Sequence, residues 1–222
     1  MKTSLHLLAA AALAACLATA TATATAAPVA VTGDIHSVAN AFAVDPSAFD
    51  RGGNPDIDDA TTIPHVSLVN LAAGPFDYFR LDLSNRSALT LDIDYSDGWD
   101  HAGLGLDLQL AVWKSDGTLL ALDDDDPRPW GFPNPSADSG SFSTLDPYLH
   151  LDRLAAGSYI VGVAYAGAQA DASGWLAGGE IPAGGMYELN VSLAAVPEPA
   201  GGLLWLGGAA ALLAGLARRR AR

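Results

Sequence analysis

In several short runs between residues 65 and 193 the apolar residues recur at every second position, and no run there repeats at every third or fourth. In Leu89-Thr90-Leu91-Asp92-Ile93-Asp94-Tyr95, extension puts Leu89, Leu91, Ile93 and Tyr95 on one face and Thr90, Asp92 and Asp94 on the other. Strand-like runs rich in β-branched and aromatic residues also cover 65–69, 77–83, 106–113, 148–151, 158–165 and 186–193. Turn residues punctuate them. Ser115-Asp116-Gly117-Thr118 reads as one hairpin connection and Ala155-Ala156-Gly157-Ser158 as another. No stripe of helical period occurs between the two ends of the chain. Many short strands at this spacing predict an all-β fold, an antiparallel β-sandwich.

The end of the chain follows a different rule. Val196-Pro197-Glu198-Pro199 stops the preceding strand, because proline lacks a backbone donor and fixes φ. An uncharged apolar run follows over 200–217, and then Arg218-Arg219-Arg220-Ala221-Arg222. As a helix the run spans roughly 27 Å, close to the ~30 Å hydrocarbon core of a bilayer. The arginines would hold their end in the cytoplasm and leave the rest of the chain outside. A Pro-Glu-Pro motif, a short membrane helix and an arginine cluster, in that order, resemble the PEP-CTERM sorting signal of Gram-negative bacteria. The resemblance implies recognition and processing by an exosortase, a membrane-embedded cysteine transpeptidase. It makes Pro197, Glu198, Pro199, Arg218, Arg219 and Arg220 the sorting residues and 196–222 the sorting segment.

Residues 1–27 read as a signal peptide, with Lys2 in the positive region, an apolar core over 5–17 and the small residues Ala24-Thr25-Ala26 for cleavage. Leu13-Ala14-Ala15-Cys16 also fits a lipobox, in which Cys16 would carry lipid. A lipid at one end and a sorting helix at the other would be redundant, which favours cleavage near Ala26 or Ala27. Cleavage there removes the chain's one cysteine and leaves a domain without disulfide or thiol chemistry.

Residues 28–195 form one domain's worth of chain, enough to bury a core. Residues 28–196 hold 24 acidic against six basic residues, a formal charge near −18. Nucleic acid, which needs basic patches, is excluded as a partner. Glu180 and Glu188 are the only glutamates among these; the rest are aspartates, compact oxygen ligands that suit a divalent cation or a repelling, solvated surface.

A second resemblance lies in the strand order. Ala60-Thr61-Thr62-Ile63-Pro64-His65-Val66-Ser67 with Phe76-Asp77-Tyr78-Phe79-Arg80-Leu81 is similar to the opening of bacterial pre-peptidase C-terminal domains. The stretch 106–121 resembles their central hairpin. Leu145-Asp146-Pro147-Tyr148-Leu149 with Ala156-Gly157-Ser158-Tyr159-Ile160-Val161-Gly162-Val163 resembles their final one. This covers about 54–166 and implies a jelly-roll-like sandwich of the collagen-binding-domain type, an accessory and non-catalytic module, some members of which bind calcium. Carried over, the acidic loop Asp123-Asp124-Asp125-Asp126 would hold Ca²⁺, with Asp124 and Asp125 the main ligands and Asp123 and Asp146 helpers. The proline-rich stretch 127–144 departs from the family pattern. Asp94-Tyr95-Ser96-Asp97-Gly98-Trp99-Asp100 lacks the closing acidic residue of an EF-hand and reads as a turn.

The histidines His36, His65, His101 and His150 show no zinc-ligand spacing, and no nucleophile motif is present. Paired carboxylates of the kind that hydrolyse glycosides carry no information where aspartate is this frequent. The expectation is a non-enzymatic, exported protein of the cell surface or exopolysaccharide matrix. It would pass through the inner membrane as an anchored intermediate. A carbohydrate- or protein-binding accessory module is the main alternative, and a small secreted hydrolase a third.

Overall fold

The computed structural model describes residues 25–54, 57, 59–71, 74–94, 106–125, 145–176 and 178–197. The expected signal segment up to residue 24, the apolar run 200–217, and Glu198, Pro199, Arg218, Arg219 and Arg220 lie outside the described residues, as do residues 95–100, expected to be a turn.

Period-two alternation becomes strand wherever it was legible. Seven strands carry it: β3 (His65–Leu71), β4 (Asp77–Leu83), β5 (Ser87–Asp94), β6 (Leu108–Lys114), β8 (Tyr148–Leu154), β9 (Gly157–Tyr165) and β12 (Met186–Ala195). Shorter ones complete the set: β1 (Val29–Ala30), β2 (Phe42–Ala43), β7 (Leu119–Asp123), β10 (Ala170–Asp171) and β11 (Gly174–Trp175). Ten of them form two five-stranded sheets, ordered β1-β3-β12-β5-β8 and β2-β4-β9-β6-β7, packed as a sandwich. Successive strands β3, β4 and β5 alternate between the sheets, and β12 returns to the centre of the first.

The sheets are mixed and not purely antiparallel. β1 runs parallel to β3 and β2 parallel to β4, while every other pair is antiparallel. The cause lies in residues 29–43, which run along the edge of each sheet in turn and so cover two open edges. No α-helix occurs among the described residues, only two 3-10 turns, and none of their helices is long and apolar enough to cross a membrane.

Ser115-Asp116-Gly117-Thr118 makes the expected hairpin between β6 and β7. Gly117 takes φ +84°, and the Thr118 N–H is bonded to the Asp116 carboxylate at 2.9 Å. Ala155-Ala156-Gly157-Ser158 is not a hairpin. It carries the chain from β8 in one sheet to β9 in the other. The register of β8 against β5 slips between Leu154 and Leu151, and Arg153 within that slip takes φ +60°. A bulge of this kind bends the end of β8 away from its own sheet.

Leu89, Leu91 and Ile93 meet Leu68, Leu189 and Val191 on the inner face of the first sheet, opposite Phe79, Leu81, Leu110, Val112, Val161 and Val163 of the second. Each fully buried aliphatic or aromatic side chain contributes about 1.5–3 kcal/mol. A smaller cluster covers the outer face of the second sheet, where Trp113 and Trp175 pack edge to face at 5.5 Å beside Tyr78 and Ile160. Gly162 makes room for them. A Cβ there would lie 2.6 Å from Trp175 Nε1 and 2.8 Å from Trp113 Cζ3. Gly162→Ala is therefore expected to cost about 1–3 kcal/mol in chemical denaturation, with blue-edge changes in tryptophan emission.

The outer face of the first sheet is polar by sequence yet buried. Asn54 Nδ2 donates to Ser67 Oγ at 2.9 Å, Ser67 Oγ donates to Asn190 Oδ1, and Asn190 Nδ2 donates to Asp94 Oδ2 at 2.5 Å. Asp92, Asp94 and Glu188 on this face are all buried. Asn190 is enclosed in this chain of bonds, whereas Asn85 is exposed in the β4–β5 turn.

Candidate functional site

Four strand ends bring aspartates to one end of the sandwich. β5 leaves at Asp94, β6 enters just after Asp107, β7 leaves at Asp123, and β8 enters just after Asp146. Glu188 of β12 lies opposite Asp94 in the ladder. Ile93 N–H bonds to Pro147 C=O at 3.2 Å, which continues the β5–β8 register and sets Asp146 beside Asp94.

The four residues assigned to calcium separate into two pairs. Asp123 is drawn into β7, one residue beyond where an acidic run was expected to end a strand, and its Oδ2 accepts the Tyr148 N–H at 3.0 Å. That bond joins edge strand β7 of one sheet to edge strand β8 of the other. Asp146 is buried at the entry to β8. Asp124 and Asp125 lie just past β7, near Asp107. Burial pushes the Asp107 carboxyl above the usual carboxylate range, and the charges of Asp125 and Asp124 push it further. Burial and then Asp125 push Asp124 the same way. Oδ1 of Asp107 and Oδ1 of Asp124 are both buried without a hydrogen-bond partner. Among the described residues no three His, Cys, Asp or Glu side chains are grouped closely enough to hold a metal ion.

Asp107 was not among the expected ligands. It occupies the polar position of Leu106-Asp107-Leu108, which reads as ordinary alternation. The hairpin register was the available signal: Leu110 pairs with Asp123, so the residues just before β6 lie beside those just after β7.

At the same end a polar network lies between the sheets. The Asp77 carboxylate is fully buried and accepts from Asn70 Nδ2 at 2.6 Å and from the Tyr187 hydroxyl at 2.8 Å, both at Oδ2. His36 Nδ1 lies 3.3 Å from its Oδ1 and 3.0 Å from Phe76 C=O. Burial raises the Asp77 pKa against the opposing pull of Tyr187 and His36, and burial drives Tyr187 well above its usual range. His36 belongs to the segment before β2, so this carboxylate ties that segment to both sheets. His65 and His150 stand apart: His65 Nδ1 is 3.1 Å from Ile63 C=O, and His150 contacts Thr90 and Asp152.

Of the sorting residues only Pro197 is described. It is exposed, one residue past Val196, whose N–H bonds to Arg86 C=O at 3.0 Å. No protein-family model matches the chain, and no curated protein matches it in sequence.

Proposed function

We propose that this chain is an exported, non-catalytic protein of the cell surface or extracellular polysaccharide matrix of a Gram-negative bacterium, sorted by its tail. In this account a signal peptide over 1–27 directs export and 196–222 is handed to an exosortase while 200–217 sits in the inner membrane. The sandwich is jelly-roll-like and serves in binding or as structure. The observation that carries the proposal is the order Pro197-Glu198-Pro199, apolar run, Arg218-Arg219-Arg220, starting directly where the ladder of β12 ends. The sandwich buries its own core on both sheets, so the tail is not needed to complete the domain. Deleting the host's exosortase is expected to leave the full-length chain in the membrane fraction, and unchanged release would defeat the proposal.

Calcium is the proposed cation of the acidic end. Asp124 and Asp125 would be its carboxylate ligands, with backbone carbonyls completing the shell, and Asp123 and Asp146 would brace the two strand ends behind them. Calcium takes six to eight oxygens, carbonyls included, and the buried Asp124 Oδ1, which has no hydrogen-bond partner, is suited to it. At ten times the dissociation constant, binding is expected to raise Tm by about 3–6 °C. Scanning the purified domain with CaCl₂ and with EDTA checks this; identical transitions would exclude a structural calcium.

A further inference from the structure

The tail-exit end of the sandwich differs from the acidic end in what it can touch. It is built from the β4–β5 turn, the β6–β7 hairpin, the crossover at 155–156 and residues 46–51. Of the five described basic residues, Arg51, Arg86, Lys114 and Arg153 lie at this end, and the fifth, Arg80, pairs with Asp82 at 3.3 Å. Aspartates share this end and bring it near charge balance. The opposite end carries Asp94, Asp107, Asp123, Asp124, Asp125 and Asp146 and no described lysine or arginine. The domain is therefore electrically polarised along its strands.

Two adjoining clefts open at the tail-exit end, of about 240 and 460 Å³. Arg51 lines the first beside Pro46 and Phe49, and Arg86 lines the second beside Val196 and Pro197. Val196 is fastened to Arg86 by its backbone bond, and the apolar run begins at Ala200. Four residue steps of chain reach at most about 14 Å. With 200–217 in the membrane, this end of the sandwich stands against the bilayer, and the acidic end faces away.

We infer that the tail-exit end is a docking surface for anionic phospholipid headgroups, with Arg51, Arg86 and Arg153 as the phosphate-binding groups. Guanidinium forks match phosphate oxygens bidentately, and a lipid surface of negative charge repels the other end of the domain. The inference rests on the tail inserting in the membrane. It adds an orientation: the anchored protein would present its aspartates outward.

The test uses the anchored intermediate, residues 28–222, which contain no cysteine, with a fluorophore on Asn85→Cys or, at the acidic end, on the exposed Met186→Cys. The protein is reconstituted in phosphatidylcholine vesicles with and without phosphatidylglycerol, and nitroxide-headgroup lipid is the quencher. Quenching is expected to be several-fold stronger at position 85 than at 186. It should rise with phosphatidylglycerol and lose that rise in Arg51→Gln/Arg86→Gln/Arg153→Gln of unchanged Tm. Equal quenching at both positions, or indifference to lipid charge, would overturn the inference while leaving the tail's insertion standing. Failure of the protein to float with the vesicles would overturn both.

Discussion

Asp77→Ala is expected to destabilise the domain by about 3–5 kcal/mol in urea or guanidinium unfolding, one of the largest single effects available in the chain. The reason is what remains after the carboxylate is removed. Asn70 Nδ2 and the Tyr187 hydroxyl are both buried and lose their acceptor, and His36 loses its anchor to the second sheet. Against a total of roughly 5–15 kcal/mol for a domain, the variant would be marginal at 37 °C. Asp77→Asn keeps an acceptor oxygen and should cost less, and it carries a pH signature. Burial raises the folded pKa of Asp77 above its unfolded value near 3.9, so its contribution is fully present below that value and is lost as pH rises through the folded one. The Asn variant lacks this loss. Its deficit relative to wild type should shrink as pH rises above about 4, and a deficit that grows instead would contradict the arrangement of His36, Asn70 and Tyr187 around the carboxylate.

Phe79→Ala should cost a comparable amount, about 3–5 kcal/mol. Phe79 is fully buried in β4, in the middle of the contact between the sheets, and its ring meets Phe42 edge on at 6.4 Å. Truncation leaves a cavity and also loosens β2, which Phe42 holds along the edge of β4. Protease sensitivity in residues 28–50 should therefore rise more than the loss of global stability alone predicts. Equal protection there would show that residues 28–50 are held by the edge pairing without the ring.

The alternation of Leu89, Leu91 and Ile93 made the strands legible, because a half-buried strand must put its apolar residues on one side. It did not show which strands share a sheet. Gly157 follows two alanines in a pattern that fits a hairpin equally well, and only the bulge at Arg153, a feature of paired backbone, sends the chain across to the other sheet. Nor did alternation show that a polar face can be buried. Asp92 and Asp94 occupy the outward positions expected of solvated residues, yet they are enclosed, and Asn190 bonds to Asp94 inside that layer. The acidic end was legible in part. Asp124 and Asp125 stood out as a run, whereas Asp107 was hidden in a strand's period and Asp77 looked like one polar position among many. Long-range pairing, between residues 70, 77 and 187 or 107 and 124, leaves no trace in local pattern.

The tail carries the central claim, that the sandwich is cargo with an address which is removed. Intact mass measurement of the mature protein from wild-type cells tests it most directly. The account predicts a chain that lacks residues 1–27 and ends near Val196-Pro197-Glu198-Pro199, while cells without the transpeptidase retain the longer form. A mature wild-type protein that still carries Arg218-Arg219-Arg220-Ala221-Arg222 would contradict it.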